Sequence, residues 1–496
     1  MHPFLPLAAS ALLFAAGTLL SARAVQFQPI QPELFSTAGA FVNAWADYDG
    51  DDDPDLFVGF NGTPNRLYRN SRGTFVDVAP AAGLSDARAV RAAAWGDMDG
   101  DGYPDLVVGF TPGPVSLLRL YRNRGGVFQD VTDAAGLAVM TGAVRQPVWV
   151  DVDGDNDLDL FVAFRDKPNA LFQNDSGRFT DIAGRIGLAD PRKSVGAVWF
   201  DADADGDLDV YVGNMDGDAN GLFINTKGRF TDLAEARGVA WAGRTPKDAA
   251  NGTVRPCAAD INNDGRIDLI AANYGKNGLF LNTGTGFEDA SAAWGIDIDA
   301  RHDTCIVADV NNDGRLDVYV NGTFTGGVQY RDYLFINTGS RFDDGTPENV
   351  KALAADHGAS WADVDGDGAV DLALTGSQPN GMHSILRNVL PALAADRDAR
   401  RSISVRIFDG RGQANRAGAE VRVYAAGTRQ LIGTGLVDSG SGYDMQNDLP
   451  VHVGIGPAAL VDVEVTWPAN GVRDVTRVEG VRAGERRTIR LRRPGL

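Results

Sequence analysis

Aspartate is concentrated in seven short segments of the sequence, and the first of them reads DYDGDDDPD from Asp47 to Asp55. Each segment places carboxylate or amide oxygens at its positions 1, 3, 5 and 9, and a backbone carbonyl at position 7 would add another ligand. Like charges at this density repel one another unless a cation lies between them. Oxygen donors without His or Cys suit Ca²⁺, so the pattern predicts about seven calcium sites. We call these segments the Asp loops.

Four side chains in each Asp loop are predicted to be metal ligands. In chain order they are Asp47, Asp49, Asp51 and Asp55; Asp97, Asp99, Asp101 and Asp105; Asp151, Asp153, Asp155 and Asp159; Asp201, Asp203, Asp205 and Asp209; Asp260, Asn262, Asp264 and Asp268; Asp309, Asn311, Asp313 and Asp317; and Asp363, Asp365, Asp367 and Asp371. Position 6 needs a tight turn and is Gly in five loops. Asp52 and Asn156 replace it in the first and third, and both residue types tolerate a left-handed backbone.

An EF-hand is the main alternative for such a loop, and it requires a bidentate Glu at position 12. Here that position is Val or another small aliphatic residue in every copy, and it falls in a β-like run. One Asp-rich segment alone could be a solvated turn, but seven copies in the same register indicate metal binding.

The Asp loops recur with first-residue spacings of 50, 54, 50, 59, 49 and 54 residues. Four short β-like runs accompany each loop, which predicts an all-β fold with a seven-bladed β-propeller over residues 25–392. The seventh unit lacks its last strand, whereas Val25–Ile30 matches that strand. We therefore expect the N-terminal segment to complete the seventh blade and close the ring. The recurrent Trp of the first strand is predicted to pack between blades.

Residues 401–492 read as alternating strands and predict a small antiparallel β-sandwich. RSISVRIFDGRGQANRAGAEVRVYAAG, GSGYDMQNDLPVHVGIG and VDVEVTWPANG in this part resemble the ASPIC/UnbV domain. The Asp loops with their strands resemble the FG-GAP/VCBS repeats of integrin α-subunit propellers. Together the two parts resemble the family of the cartilage acidic protein and its bacterial UnbV-like relatives. That resemblance implies a secreted, calcium-binding propeller with a C-terminal β module.

Residues 1–24 combine a short apolar run with Ala22-Arg23-Ala24, which predicts a secretory signal rather than a membrane anchor. We therefore expect a secreted or periplasmic protein without membrane insertion, and a monomer. The net charge of -20 excludes nucleic acid and anionic lipid as expected partners. Residues 397–496 nevertheless hold 16 Arg and no Lys. This basic tail is predicted to dock on the acidic propeller; capture of an acidic partner is the alternative.

Six polar residues lie in or beside the position six residues before the first Asp of a loop, which should place them at the channel mouth opposite the loops. They are Arg91, Arg145, Arg255, His302, Asp303 and His357. Such a set could bind an anionic or sugar-like ligand or supply acid–base groups. A solvated polar rim is the alternative.

Two functions therefore stay open. The first is a secreted calcium-binding β-propeller that acts as a binding or adhesion module for an extracellular glycan, protein or small-molecule ligand. The second is a propeller enzyme, such as a lyase, cyclase or hydrolase, with its site at the channel mouth. Cys257 and Cys305 occupy equivalent segments of adjacent repeats. They could pair, but two buried small residues are the preferred interpretation.

Overall fold

The computed structural model describes residues 25–111, 117–138, 141–353, 357–376, 381, 383–390, 401–409, 412, 414, 417–438, 444–448 and 450–490. The predicted signal segment 1–24 lies outside these residues. Strands dominate the described chain, and the four helices found there are single turns: α1 (Ala79–Ala82), α2 (Ala183–Ile186), α3 (Ser291–Trp294) and α4 (Glu348–Lys351). The prediction of an all-β fold is confirmed.

The propeller consists of antiparallel units of four strands, which we call blades and number along the chain. Blades 1 and 2 contain β2 (Ala40–Ala46), β3 (Asp55–Phe60), β4 (Arg66–Ser71) and β5 (Thr74–Asp77), then β6 (Val90–Gly96), β7 (Asp105–Phe110), β8 (Leu118–Asn123) and β9 (Phe128–Asp130). Blades 3 and 4 contain β10 (Val144–Val150), β11 (Asp159–Phe164), β12 (Ala170–Asp175) and β13 (Arg178–Asp181), then β14 (Ser194–Phe200), β15 (Asp209–Asn214), β16 (Gly221–Asn225) and β17 (Phe230–Asp232).

The remaining blades follow the same plan. Blade 5 contains β18 (Gly252–Ala259), β19 (Asp268–Lys276), β20 (Gly278–Asn282) and β21 (Phe287–Asp289), and blade 6 contains β22 (Asp299–Ala308), β23 (Asp317–Gly322), β26 (Tyr333–Asn337) and β27 (Phe342–Asp344). A two-stranded hairpin of β24 (Phe324–Thr325) and β25 (Val328–Gln329) lies between β23 and β26. Blade 7 contains β28 (Ala359–Ala362), β29 (Asp371–Leu374), β30 (Ser384–Asn388) and the N-terminal β1 (Phe27–Ile30).

Strand β1 closes the ring as the sequence predicts. It pairs antiparallel with β30, and Phe27 lies opposite Asn388. The first strands of successive blades also contact one another around a complete cycle, from β2 through β28 and back to β2. Each Asp loop connects the first strand of a blade to its second, so all of these loops lie on one face of the propeller, which we call the loop face.

The core lies between neighbouring blades. First strands such as β2 are buried along their whole length, whereas outer strands such as β5 alternate buried and exposed residues. The Trp of the first strand bridges the blades, because Trp95 donates its indole N–H to the carbonyl of Ala44 at 3.1 Å and Trp149 donates to Ala94 at 3.2 Å. The inter-blade role predicted for these Trp residues therefore agrees with the structure.

The C-terminal domain, residues 401–490, is a two-layer β-sandwich. In one sheet the strand order is β35 (Val451–Gly454), β31 (Ser402–Phe408) and β38 (Arg486–Arg490). In the other sheet it is β33 (Leu431–Leu436), β32 (Glu420–Ala425), β36 (Leu460–Ala469) and β37 (Val472–Arg482). Valine and isoleucine side chains fill the space between the sheets. One pairing departs from the antiparallel expectation, since β31 and β38 are parallel. The chain reaches β38 by crossing over from the other sheet, and such a crossover permits parallel pairing.

No helix among the described residues is long and apolar enough to cross a bilayer.

Candidate functional site

Each Asp loop is a turn that folds around its first aspartate. In the first loop, Oδ1 of Asp47 accepts hydrogen bonds from the backbone N–H groups of Gly50 at 2.8 Å and Asp51 at 3.0 Å, and Oδ2 accepts one from Asp52 at 3.1 Å. This wrapping requires a left-handed residue at position 6. Asp52 has φ 71° and Asn156 has φ 68°, so both replace Gly there as the sequence predicts.

The aspartate at position 9 begins the second strand and is almost completely buried in every loop. Both of its oxygens accept backbone hydrogen bonds. In the first loop, Oδ2 of Asp55 accepts from Tyr48 N at 3.2 Å and Oδ1 accepts from Asn70 N at 2.8 Å. The equivalent pair recurs in all seven loops, through to Asp371 with Val364 and Asn388. Burial raises the pKa of Asp55 to about 9, so a nearby cation would be needed to keep this carboxyl ionised at neutral pH.

The Asn that partners position 9 is not among the residues predicted from the sequence, although it is the last or next-to-last residue of the third strand in every blade. Its amide also joins the blades. Asn123 donates to Tyr48 O at 2.8 Å, and Asn388 donates to Val310 O at 2.8 Å, so each reaches the Asp loop of the preceding blade. Such contacts make the position of one Asp loop depend on the next blade. The signal was the fixed Asn in segments such as LYRN and LFIN.

Several carboxylates of the loops converge. The acidic ligand atoms of Asp47, Asp49 and Asp55 lie within 4.8 Å of one another, and similar groups form in the loops that begin at Asp97, Asp151 and Asp201. At position 3, Oδ1 of Asp49, Asp99 and Asp203 is buried and accepts no hydrogen bond from a described residue. A buried carboxylate oxygen without a proton donor is costly unless a cation occupies its position. The donor sets therefore fit a hard metal ion that takes oxygen ligands.

The C-terminal domain covers much of the loop face, in line with the predicted docking of the basic tail. Arg473 Nη1 lies 2.6 Å from Asp201 Oδ2 in blade 4, and Arg406 Nη1 lies 3.2 Å from Asp47 Oδ2 in blade 1. In blade 6, the backbone N–H of Gly454 donates to Asp309 Oδ2 at 2.8 Å. Arginines of the tail thus neutralise acidic loops of the same chain.

A short segment of the C-terminal domain enters the central channel. Strand β34 (Met445–Gln446) pairs in parallel with β2, so that it adds a fifth strand to the sheet of blade 1. Gln446 Oε1 accepts from Trp95 N at 2.7 Å in blade 2, and Asn447 Oδ1 accepts from Trp361 N at 2.9 Å in blade 7. The segment therefore bonds to the inner edges of three blades at once.

The residues predicted at the channel mouth separate into two groups, and β-bulges explain the separation. In blades 2, 3 and 6 the pairing register shifts at the position of Arg91, Arg145 and Asp303, which are six residues before the first Asp. A bulge re-aims the side chain of the extra residue. Arg255 and His302 lie one residue away from such a position and have other surroundings.

The first group lies around Asp444, which belongs to the C-terminal domain and is not among the residues predicted from the repeat register. His357 Nδ1 lies 3.0 Å from Asp303 Oδ2 and 3.7 Å from Asp444 Oδ2. The His357 ring stacks on the Phe41 ring, with centroids 4.6 Å apart. The Arg91 guanidinium also contacts the Phe41 ring and lies 4.5 Å from its centroid. Arg91 and Arg145 also act electrostatically on Asp444. Burial raises the pKa of Asp444 to about 7, against the lowering effect of His357 and the arginines.

The second group lies in the wall of the ring. Arg255 is fully buried and places Nη2 2.6 Å from Asp438 Oδ2 of the C-terminal domain. His302 is also buried, with Nδ1 3.0 Å from Asn277 Oδ1, and burial lowers the pKa of its ring to about 4. Both side chains are buried and have partners outside the group around Asp444.

Cys257 and Cys305 form a disulfide between β18 and β22, with 6.2 Å between their Cα atoms. The preferred interpretation of two separate buried cysteines is therefore replaced by the paired one. Cys257 and Cys305 lie on the adjacent first strands of blades 5 and 6, three and four residues before the first Asp of their loops, and this brings them to bridging distance.

Repeated Asp loops on four-stranded blades, joined to a C-terminal β-sandwich, define a β-propeller with acidic repeats. A family model for the FG-GAP-like repeat matches residues 26–108, 151–212, 201–270 and 260–320, which together are just over half of the chain. The chain belongs to the FG-GAP-like repeat family. The family described as ASPIC and UnbV matches residues 410–492.

The chain is also similar to proteins of known sequence or structure. Cartilage acidic protein 1 of Xenopus tropicalis is 25% identical over 283 residues, which are 53% of this chain and 40% of that protein. Among solved structures, an Agrocybe aegerita lectin that recognises non-reducing terminal N-acetylglucosamine is 20% identical with a TM-score of 0.39, over 62% of this chain and 81% of its own. The Vibrio cholerae biofilm matrix protein Bap1 is 14% identical with a TM-score of 0.35, over 93% and 71%.

Proposed function

We propose that the protein is a secreted, monomeric β-propeller that binds about seven Ca²⁺ ions and acts as a binding or adhesion module for an extracellular glycan, protein or small molecule. The observation that carries this proposal is the insertion of β34 into the central channel. The inserted segment lies in the channel beside β2 and bonds to blades 1, 2 and 7. Ligand contacts are therefore assigned to the opposite face and its projecting loops.

The connection 321–333 follows the second strand of blade 6, so it lies on that opposite face. Its β24–β25 hairpin exposes Phe324 and Val328, which are 39% and 50% accessible. The base of the hairpin is fixed, because Tyr330 N donates to Thr323 O at 3.0 Å and Gly322 N donates to Asp332 Oδ1 at 2.7 Å. Apolar side chains on a rigid projection suit ligand recognition.

Calcium binding and secretion are supported by separate features. The convergent carboxylates of the Asp loops have only oxygen donors, and these suit Ca²⁺. The Cys257–Cys305 disulfide supports an oxidising compartment, where such bonds persist. The N-terminal apolar run of the sequence agrees with export.

A binding screen tests the proposal. The calcium-loaded protein would be applied to arrays of glycans and extracellular proteins and to a small-molecule library, and each hit would be measured again with Phe324→Ala and Val328→Ser. We expect at least about a tenfold loss of affinity in these variants, as for a residue at the centre of an interface. Val127→Ser is the matched control, because Val127 is 57% exposed on another part of the ring. Equal affinity in all three variants would exclude the hairpin as the binding surface.

An enzyme remains the second candidate because of one contact. The 3.0 Å distance between His357 Nδ1 and Asp303 Oδ2 is the carboxylate–imidazole arrangement of many general bases. Turnover of a lyase or hydrolase substrate that disappears in His357→Gln, but not in Phe324→Ala, would favour the enzyme over the binding module.

A further inference from the structure

We propose that Asp303, His357 and Asp444 form a site for one divalent first-row transition metal ion, such as Zn²⁺ or Mn²⁺, built jointly by the propeller and the C-terminal domain. We call these three residues the channel cluster. The proposal is independent of the ligand that the protein recognises and of the calcium sites in the Asp loops.

The geometry of the channel cluster suits a metal ion at its centre. One imidazole nitrogen and two carboxylate oxygens lie within 4.8 Å of one another. With metal–ligand bonds of about 2.1 Å, the separations of 3.0 and 3.7 Å from His357 Nδ1 correspond to ligand–metal–ligand angles of roughly 90° and 125°. Both angles lie within the range of tetrahedral and five-coordinate metal sites. Three protein ligands would leave a position for water or for a ligand atom.

Asp444 provides the second and independent observation. Its side chain has no exposed surface, and neither of its carboxylate oxygens accepts a hydrogen bond from a described residue. A carboxylate that served only as a counter-ion for Arg91 and Arg145 would accept hydrogen bonds from a guanidinium. Instead, Nη1 of Arg91 is also buried without a hydrogen-bond partner among the described residues. Among the described residues, the Asp444 carboxylate therefore has an ion-pair contact with His357 Nδ1 at 3.7 Å and no hydrogen bond from a guanidinium.

The backbone conformation also positions Asp444. The residue has φ 63°, a left-handed conformation that is uncommon outside glycine. Its carbonyl accepts a hydrogen bond from Asn43 N at 3.2 Å, and β34 follows immediately. The pairing of β34 with β2 thus fixes Asp444 opposite His357. The third ligand is delivered only when the C-terminal domain is docked.

The donor set distinguishes the channel cluster from the Asp loops. The loops offer oxygen atoms alone, as Ca²⁺ prefers, whereas an imidazole nitrogen favours transition metals. Phe41 covers one face of the His357 ring, so the imidazole cannot turn freely away from the carboxylates. Excess calcium should consequently fill the Asp loops without displacing a metal from the channel cluster.

Metal analysis of the untagged mature protein tests the proposal. The protein would be stripped with a chelator, saturated with Ca²⁺, and titrated with Zn²⁺, Mn²⁺ and, as a spectroscopic probe, Co²⁺. We expect one tightly held transition metal ion per chain that survives dialysis against excess Ca²⁺. With Co²⁺ we expect visible absorption bands typical of mixed nitrogen and oxygen ligands.

Variants locate the ion. Asp444→Asn and His357→Gln should each weaken binding by more than about 100-fold, because loss of a direct ligand exceeds the effect of losing an outer partner. Asp133→Asn, an exposed acidic control, and His383→Gln, a buried histidine elsewhere in the ring, should bind as the wild type does. If either ligand variant fails to fold, X-ray absorption at the metal edge of the wild type decides the question, since one nitrogen ligand must be present.

Three results would overturn the site. The first is absence of a retained transition metal in excess Ca²⁺, which would leave a charge network only. The second is unchanged binding in both ligand variants. The third is a wild-type absorption spectrum with oxygen ligands alone, which would place the ion in an Asp loop.

Discussion

Arg473 of the C-terminal domain places its Nη1 atom 2.6 Å from Oδ2 of Asp201, the first residue of the fourth Asp loop. Its Nη2 atom lies 2.7 Å from Oε1 of Glu420, which belongs to its own domain. One guanidinium thus connects a carboxylate in each domain. These two ion pairs therefore connect the fourth Asp loop to the C-terminal domain.

The first prediction concerns that link. In saturating calcium, Arg473→Met should destabilise the protein by about 1.5–3 kcal/mol, because two charged acceptors lose a donor. Denaturant unfolding measures the change. Arg482→Met, at an exposed position of the same strand, is the control and should be nearly silent. Equal effects of the two substitutions would show that the link does not stabilise docking.

The second prediction concerns the metal loops. Asp371→Asn should lower stability by about 1–3 kcal/mol, because an amide offers one oxygen for the two backbone N–H groups of Val364 and Asn388. The same variant should hold one Ca²⁺ fewer by metal analysis than the roughly seven proposed for the wild type. Asp133→Asn keeps the full metal content if the loops are the sites. A chain that retains no calcium at all would refute the assignment.

The third prediction concerns closure of the ring. Phe27 is buried, and its ring centroid lies 6.3 Å from that of Trp361. Phe27→Ala should therefore cost about 3–5 kcal/mol, whereas Gln28→Ala on the exposed side of the same strand should cost less than about 0.5 kcal/mol. Thermal unfolding distinguishes the two. Deletion of residues 25–30 should have a larger effect, and the C-terminal domain should keep its fold. Small and equal changes would mean that β1 is dispensable.

The fourth prediction concerns acid. Burial lowers the pKa of His383 to about 4, while an unfolded histidine has a pKa of about 6.5. The unfolded chain therefore takes up this proton first, and the stability that depends on neutral His383 is lost as the pH falls from about 6.5 toward 4. His383→Gln should remove up to about one proton from the slope of stability against pH in saturating calcium. The substitution Gln28→Asn supplies the control slope, and an unchanged slope in His383→Gln would contradict the lowered pKa.

Periodicity made much of the fold predictable. The Asp loops marked every turn between the first and second strands, and the missing strand of the seventh unit identified the pairing of β1 with β30. The replacement of Gly by Asp52 and Asn156 followed from backbone preference, and both residues have positive φ.

The channel cluster was only partly predictable. Asp303 and His357 could be aligned by repeat register, but Asp444 belongs to a domain with no register against the propeller. The β-bulge at Asp303 was also hidden, since a bulge changes side-chain direction without changing the sequence period. For that reason the sequence predicts Arg255 and His302 at the same site as Arg91, Arg145 and His357, although each lies one residue away from the bulge position of its own strand.

Two strand pairings complete the ring, β1 with β30 and β2 with β34, and both need residues from the C-terminal part of the chain. Phe27 lies opposite Asn388, and the inner edge of β2 pairs with the strand that begins at Met445, so the partners in both pairings are several hundred residues apart in the sequence. When the first blade has been synthesised, neither of the strand pairings that close the ring can yet have formed. Pairing across such sequence distances is slow. A chain of this design would remain an open series of blades until its last domain has been made and docked.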